Sequence, residues 1–354
     1  MAVNEGDDLA PLEPKTVNDG AIVELLRRRY NHHQIYTSVA DILLSVNPFK
    51  DLSIYGPKVI KAYQDSQPSS QLSPHVYSKS KAIVRSMHHS SKSQCCVLTG
   101  DSASGKTESL KHILDYVVSV SSPTGASMKA KFSKVHFILE AFGNAVTAQN
   151  RNSSRFAMYY ELYFSPEMKL SGGSSTENIF MISEYFTGKV HHYMLEKSRV
   201  VHQEKGAKNF HVFHYLLYGL DIDEQQEYNL NAEYPHRYLS YDPSAVPPED
   251  KTSKEILGKK YMELLKCMES VGFTKEEILN ILKCLAAILH IGNIAFSSAN
   301  PQTNSAFVKD PQPVKCASSL LGMSEDDMGE SLIKGITYRK GEKFSVHKSV
   351  NLAN

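Results

Sequence analysis

The chain has 354 residues, enough for two or three domains or one large α/β unit. Its formal net charge of +1 gives no case for nucleic acid or a strongly acidic partner. No apolar run approaches the ~20 residues of a membrane span, and the richest, residues 278–296, is broken by Asn280, Lys283, His290 and Asn293. The acidic start, Met1 to Asp8, lacks the basic and apolar regions of a signal peptide. Five cysteines (Cys95, Cys96, Cys267, Cys284, Cys316) without CxxC spacing read as reduced, buried thiols of a cytosolic protein. The pairs His32-His33, His88-His89 and His191-His192 have no Cys or acidic neighbour at ligand spacing, so metal binding through them is not expected.

Residues 1–20 are polar and aperiodic and read as a flexible N-terminal arm. From Ala21 to Tyr30 an amphipathic helix is predicted, with Ile22, Val23, Leu25 and Leu26 as its apolar side. Arg27-Arg28-Arg29 is too short for a nucleic-acid patch and reads as a solvated helix end. Residues 35–46 are rich in β-branched and aromatic side chains and predict two strands around a turn. Asn47-Pro48-Phe49-Lys50 then breaks the pattern, since the residue before proline avoids helix.

The most informative stretch is Gly100-Asp101-Ser102-Ala103-Ser104-Gly105-Lys106-Thr107, which fits G-x-x-x-x-G-K-[ST]. Before it, Gln94 to Thr99 reads as a short buried strand. After it, Glu108 to Val118 carries apolar residues at helical spacing. Strand, glycine loop and helix form the context in which backbone N–H groups converge on phosphate oxygens at a helix N-terminus. Lys106 would reach the β/γ-phosphates and Thr107 would hold Mg²⁺. A Gly/Ser-rich loop over 119–127 follows. Further on, Asn150-Arg151-Asn152-Ser153-Ser154-Arg155 ends a polar loop entering a strand over 156–164. Two adjacent hydroxyls and an arginine suit a γ-phosphate sensor: one hydroxyl completes a Mg²⁺ shell and the guanidinium forks onto a carboxylate or phosphate.

These segments together resemble the opening of the myosin motor domain. Leu26-x-x-Arg29-Tyr30, Ile35-Tyr36-Thr37, Asn47-Pro48-Phe49-Lys50, Ile54-Tyr55 and Pro74-His75-Val76-Tyr77 come in that family's order and spacing. Its phosphate loop reads GESGAGKT, so Asp101 and Ser104 are departures at variable positions. The resemblance implies that Asn47, Pro48, Lys50 and Tyr55 edge the purine. It implies that Gly100, Asp101, Ser102, Ala103, Ser104, Gly105, Lys106, Thr107 and Glu108 cradle the phosphates of ATP. It makes Asn150, Asn152, Ser153, Ser154 and Arg155 the switch I segment, with Asn150 and Asn152 binding the nucleotide, Ser154 and Thr107 toward Mg²⁺ and Ser153, Arg155 and Lys106 catalytic. Val146, Gln149, Arg151 and Ala157-Met158 depart from its switch pattern.

Residues 165–187 read as a surface insertion, and Tyr193 to Val200 resembles the family's YLLEKSRV. Asn209 to Leu217 resembles NFHIFYQLL, and its residues Phe210, Phe213, Leu216 and Leu217 are expected in a core. Thr274-x-x-Glu277 is a capping box opening a helix that runs through Leu285 to His290. A shorter helix is expected after Ser324, which removes the D-x-x-G string Asp326 to Gly329 from consideration as a metal-orienting strand end. Residues 336–344 resemble a strand-turn near the family's actin-facing loop.

The expected fold is therefore α/β: a P-loop NTPase with a twisted mixed central sheet flanked by helices, plus a largely helical upper subdomain, incomplete relative to a whole motor. The expected division is the arm over 1–20, a nucleotide-binding subdomain over 21–125 and a switch I and upper subdomain over 126–354. The family's switch II, relay helix, converter and light-chain-binding neck would lie beyond Asn354, leaving Arg155 without its acidic partner. The implied function is the ATP-binding part of an actin-activated ATPase motor, cytoplasmic and cytoskeleton-associated, with light chains or calmodulin only on the neck. Two other classes stand beside it. One is a non-motor interaction protein of the same ancestry, separable by a polypeptide extending into an apolar strand ending D-x-x-G-F-E. The other is a P-loop kinase, which would want an Arg-bearing lid that nothing after the phosphate loop supplies.

Overall fold

The computed structural model of the chain describes residues 8–9, 18–67, 72–121, 125–165, 170, 188–239, 251–298, 304–339 and 342–350. The predicted first helix is present as α1 (Asp19–Asn31), opened by Asn18, whose side-chain oxygen accepts the Ala21 N–H at 3.0 Å. Its face differs from the prediction. Val23 is exposed, and Arg29 of the basic run is buried, donating through Nε to Thr37 Oγ1 (2.9 Å) and through Nη2 to the Tyr36 carbonyl (2.8 Å). A guanidinium can be buried there because its fork meets two oxygens fixed by the next strand.

That strand, β1 (Tyr36–Val39), pairs antiparallel with β2 (Ile42–Ser45), Tyr36 facing Ser45 and Val39 facing Ile42, as the residue types predict. Next come α2 (Pro57–Asp65), with proline in its first turn, and α3 (Val76–Ser90). His75 caps α3: its Nδ1 accepts the Tyr77 N–H at 3.1 Å. α4 (Lys106–Ser121) starts at the phosphate-loop lysine. The loop expected over 119–127 is shorter than predicted: α4 takes in Ser119–Ser121, α5 (Gly125–Gly143) begins at Gly125, and residues 122–124 lie outside the described residues.

β3 (Asn144–Ala145) pairs with β4 (Ser153–Ser154), and β5 (Ala157–Leu162) with β6 (Gly188–Tyr193). The surface insertion expected over 165–187 falls almost wholly outside the described residues. α6 (His211–Gly219) and the capped α7 (Ile222–Tyr228) lead to α8 (Lys251–Val271), a long helix for which no sequence signal was identified. α9 (Lys275–Gly292) opens on the predicted box, Thr274 Oγ1 accepting the Glu277 N–H and Glu277 Oε2 accepting the Thr274 N–H. β7 (Phe296–Ser298), β8 (Ala306–Val308), α10 (Gln312–Leu321) and α11 (Glu325–Ile333) follow, then the hairpin β9 (Lys334–Arg339) with β10 (Glu342–His347). α11 is the helix expected after Ser324, so the Asp326 to Gly329 string is helical.

The chain divides into two units, residues 1–133 with 158–191 and residues 134–157 with 192–354. The first holds a core of Ile35, Tyr36, Ile60, Tyr63, Val76, Tyr77 and Tyr116. The second buries Phe210, just before α6, and Phe213 and Leu216 of α6 with Tyr261, Leu264 and Met268 of α8 and Leu282, Leu285 and Leu289 of α9, as expected for this apolar face. The mixed helix and strand content agrees with the expected class. Among the described residues, however, the strands form five separate two-stranded pairs rather than one central sheet. The predicted strand Gln94 to Thr99 is in no ladder, and Cys95, Cys96 and Val97 are exposed. An apolar extended run becomes a buried strand only when neighbours cover both edges, and none of the described strands pairs with it. Cys284 is also exposed, so of the five thiols expected inside only Cys267 and Cys316 are buried.

Candidate functional site

The first unit carries the loop over 100–107 that the motif assigns to phosphate. Gly100 and Gly105 hold φ of +147° and +92°, conformations that suit glycine, and Ala103 joins them at +66°. At Gly100 a side chain would also collide with Ser104 Oγ, 2.6 Å from where its Cβ would sit. Lys106 curls back over this turn, its Nζ donating to the Gly100 and Asp101 carbonyls, each at 2.6 Å. Ser104 N donates to the Asp101 carbonyl at 3.3 Å, and Ser109 N to the Gly105 carbonyl at 2.9 Å, which begins the ladder of α4. Ser104 Oγ is buried without a hydrogen-bond partner. Glu108, in the first turn, pairs with Lys111 at 2.9 Å on the exposed face.

The residues expected at the purine edge separate into two groups. Asn47 reaches the loop: its Nδ2 donates to the Ala103 carbonyl at 2.7 Å, while its Oδ1 accepts the Phe49 N–H at 3.0 Å. Tyr55 meets α4 further along, its ring stacked on His112 at 3.6 Å and 9° and its hydroxyl 2.8 Å from that of Tyr36. Pro48 and Lys50 instead line a cleft with Tyr30, Asn31, His33 and Ile35. Burial lowers the pKa of His112, with Asp115 and Glu108 opposing, and burial pushes His75 down to about 4, so neutral rings fill this cluster. The stacking histidine carried no sequence signal beyond its position on the phosphate-loop helix.

The second unit carries the SSR segment. The loop before it is closed on itself. Thr147 N donates to the Asn150 carbonyl at 2.8 Å, Asn150 N to Thr147 Oγ1 at 3.1 Å, and Asn152 N to Asn150 Oδ1 at 2.9 Å. Asn152 Oδ1 accepts from Asn144 Nδ2 and lies 3.0 Å from His211 Nε2 of α6. Ser153 and Ser154 sit in β4, opposite Ala145 and Asn144, and Ser153 is buried. Gly143 ends α5 against the ring of Phe156, and its carbonyl accepts the Arg155 N–H at 2.9 Å.

Arg155 has an acidic partner, other than the switch II carboxylate that the resemblance implies. Its Nε donates to Glu196 Oε2 at 2.6 Å and its Nη1 to Ser153 Oγ at 3.2 Å. Glu196 comes from Tyr193-Met194-Leu195-Glu196-Lys197-Ser198-Arg199-Val200, the string that resembles the family's YLLEKSRV and to which the sequence assigned no site role. Burial pushes its carboxyl pKa up, but hydrogen bonds from Arg155 and Arg199 outweigh that and hold it below the usual carboxylate range. An arginine in search of a carboxylate, and a Glu-x-x-Arg string that offers one, was the signal available.

Among the described residues no group of three or more His, Cys, Asp or Glu side chains could hold a metal ion, and no helix is long and apolar enough to cross a membrane. A G-x-x-x-x-G-K-T loop opening a helix, and a second segment with two serines and a carboxylate-bound arginine, define the class: a chain built on the nucleotide-binding motifs of P-loop motors. It belongs to the myosin head (motor domain) family, whose model matches residues 6–354. It is 34% identical over 350 residues to myosin-IIIb of Mus musculus, covering 98% of this chain and 25% of that protein. With the myosin IB heavy chain of Dictyostelium discoideum the identity is 36% over 321 residues, covering 89% of this chain and 26% of the relative. With unconventional myosin-IXa of Homo sapiens it is 34% over 352 residues, covering 96% and 13%. The chain thus spans about a quarter or less of the length of these relatives.

Proposed function

We propose that this chain is the ATP-binding portion of a myosin-type, actin-based motor, which in the complete protein couples ATP hydrolysis to movement on actin filaments. The observation that carries the reading is the loop at Gly100 to Thr107, with Lys106 coiled over its own carbonyls and Ser104 Oγ buried without a partner. That donor set fits a polyphosphate. A Lys106 ammonium now held by two peptide dipoles gains full negative charge by exchanging them for phosphate oxygens, and the helix N-terminus adds its dipole. Gly100 to Glu108 form the cradle in this reading. Asn47, Pro48, Lys50 and Tyr55 form the base edge, and Asn150 and Asn152 shape the switch loop. Ser153 and Arg155 face the γ-phosphate. Thr107 and Ser154 would hold Mg²⁺, which when bound neutralises charge on the β- and γ-phosphates.

The finer architecture belongs to the same proposal: the arm over 1–20, the subdomains over 21–125 and 126–354, and, in the complete protein, a twisted mixed central sheet. So do the cytoplasmic, cytoskeletal location and light-chain or calmodulin binding on a neck. The test is nucleotide affinity in the protein purified as its cell makes it, titrated with a fluorescent ATP analogue. Lys106→Ala removes a charge-assisted contact worth about 1.5–3 kcal/mol, so affinity falls at least about tenfold. Unchanged affinity refutes the reading.

A further inference from the structure

Glu196 has no role in the reading above, yet it organises the SSR segment. Its Oε2 accepts from Arg155 Nε at 2.6 Å and from Arg199 Nε at 2.8 Å, and its Oε1 accepts from Arg199 Nη2 at 3.3 Å. The anchoring has a direction. The Arg199 side chain is 6% exposed and its Nη1 also donates to the Lys208 carbonyl, whereas the Arg155 side chain is 28% exposed. Backbone bonds fix the same alignment, Glu196 N donating to the Arg155 carbonyl at 3.0 Å and Arg155 N to the Gly143 carbonyl at 2.9 Å. Arg199 therefore holds the carboxylate from the inside, and the carboxylate holds Arg155 at its inner nitrogen, Nε. A guanidinium carries five N–H donors, and one tethered through Nε keeps donors on its terminal nitrogens for a second anion.

We propose that Glu196 is a positioning residue for Arg155, holding its inner edge so that its terminal nitrogens meet a phosphate oxygen of bound nucleotide. The proposal rests on the reading of Arg155 as the γ-phosphate-facing arginine. A long side chain fixed before the nucleotide arrives loses little further freedom when charge develops on the phosphate, which raises turnover rather than ground-state affinity.

The test is a double-mutant cycle in the protein purified as its cell makes it, with Glu196→Gln, Arg155→Ala, both together, and Lys106→Ala as the binding control. Glu196→Gln lowers maximal ATP turnover about tenfold, while nucleotide affinity stays within about twofold. In the Arg155→Ala background the same change alters turnover less than about twofold. Equal losses in both backgrounds overturn the proposal, because a scaffold role does not need Arg155; undiminished turnover in Glu196→Gln overturns it too. If Glu196→Gln does not unfold cooperatively, Glu196→Asp goes through the same cycle under the same criteria, keeping charge beside Arg199 and shortening the reach to Arg155. A wild-type protein that binds no nucleotide overturns this proposal together with the reading it rests on. One that binds through Lys106 but shows additive losses overturns the positioning role alone.

Discussion

Placing a methyl group on Gly143 tests how tightly the SSR segment is bolted to α5. A Cβ there would lie 2.3 Å from Phe156 Cε1 and 2.4 Å from Cδ1, whereas ordinary contact begins near 3.4 Å, so the ring must retreat by about 1.1 Å. The ring must make room by turning about its own χ angles, because the backbone beside it is held by the Arg155 N–H bond to the Gly143 carbonyl and by the Arg155 Nε bond to Glu196. Overpacking of this kind costs about 1–3 kcal/mol, and alanine's better helix propensity returns less than about 1 kcal/mol of it. For a unit of this size a net loss of about 1–2 kcal/mol lowers Tm by about 2–8 °C. The matched control is Gly329→Ala in α11, where nothing lies within 4 Å of the new Cβ, and Tm should hold or rise slightly. Calorimetry on both variants decides the matter. A Gly143→Ala protein that melts at the wild-type temperature would show that Phe156 yields freely and that the segment is not held as described.

Acid should destabilise the second unit through His214, buried in α6, whose pKa is pushed down by burial to about 3 from an unfolded value of 6.5. Below pH 6.5 the unfolded chain takes up a proton that the folded one refuses, so this stability is complete above pH 6.5 and falls as pH drops toward 3, by up to about 1.4 kcal/mol per unit. Denaturant melts at several pH values should therefore show a shallower acid decline in His214→Leu than in wild type, and parallel curves would rule the histidine out. In the first unit, Arg29→Lys removes the planar fork onto Thr37 and the Tyr36 carbonyl and should cost about 1–3 kcal/mol, read as faster proteolytic cleavage between α1 and β1. Cleavage at the wild-type rate would mean that an ammonium serves there equally well.

Local chemistry was the part of this fold that the sequence made readable. The hairpin over 36–45, the Thr274 capping box, the Ser324 cap and the helix after Lys106 each depend on residues a few positions apart. What escaped depends on distant partners. Arg29 looks like a solvated charge until Thr37 is folded beside it, and Glu196 carries no signal of its own until it lies against Arg155, 41 positions away. Gln94 to Thr99 shows the reverse error. Apolar character alone announced a buried strand, but burial needs a ladder on either side, and none of the described strands supplies one. For the site, the sequence offers motif strings to propose residues from, but the face-to-face stacking of Tyr55 on His112 belongs to no such string.

The Tyr55–His112 stack closes a ring in the first unit. From Asn47 the chain runs to Tyr55, crosses the stack to His112, returns along α4 to Lys106 and Ala103, and regains Asn47 through the 2.7 Å bond to the Ala103 carbonyl. The helical side of this circuit, six residues from His112 to Lys106, is about 9 Å long and yields little along its axis. A closed linkage with one stiff side transmits displacement instead of absorbing it. A displacement of the Lys106 ammonium therefore bears on both non-covalent closures of the circuit, the Tyr55–His112 stack and the Asn47 bond to the Ala103 carbonyl.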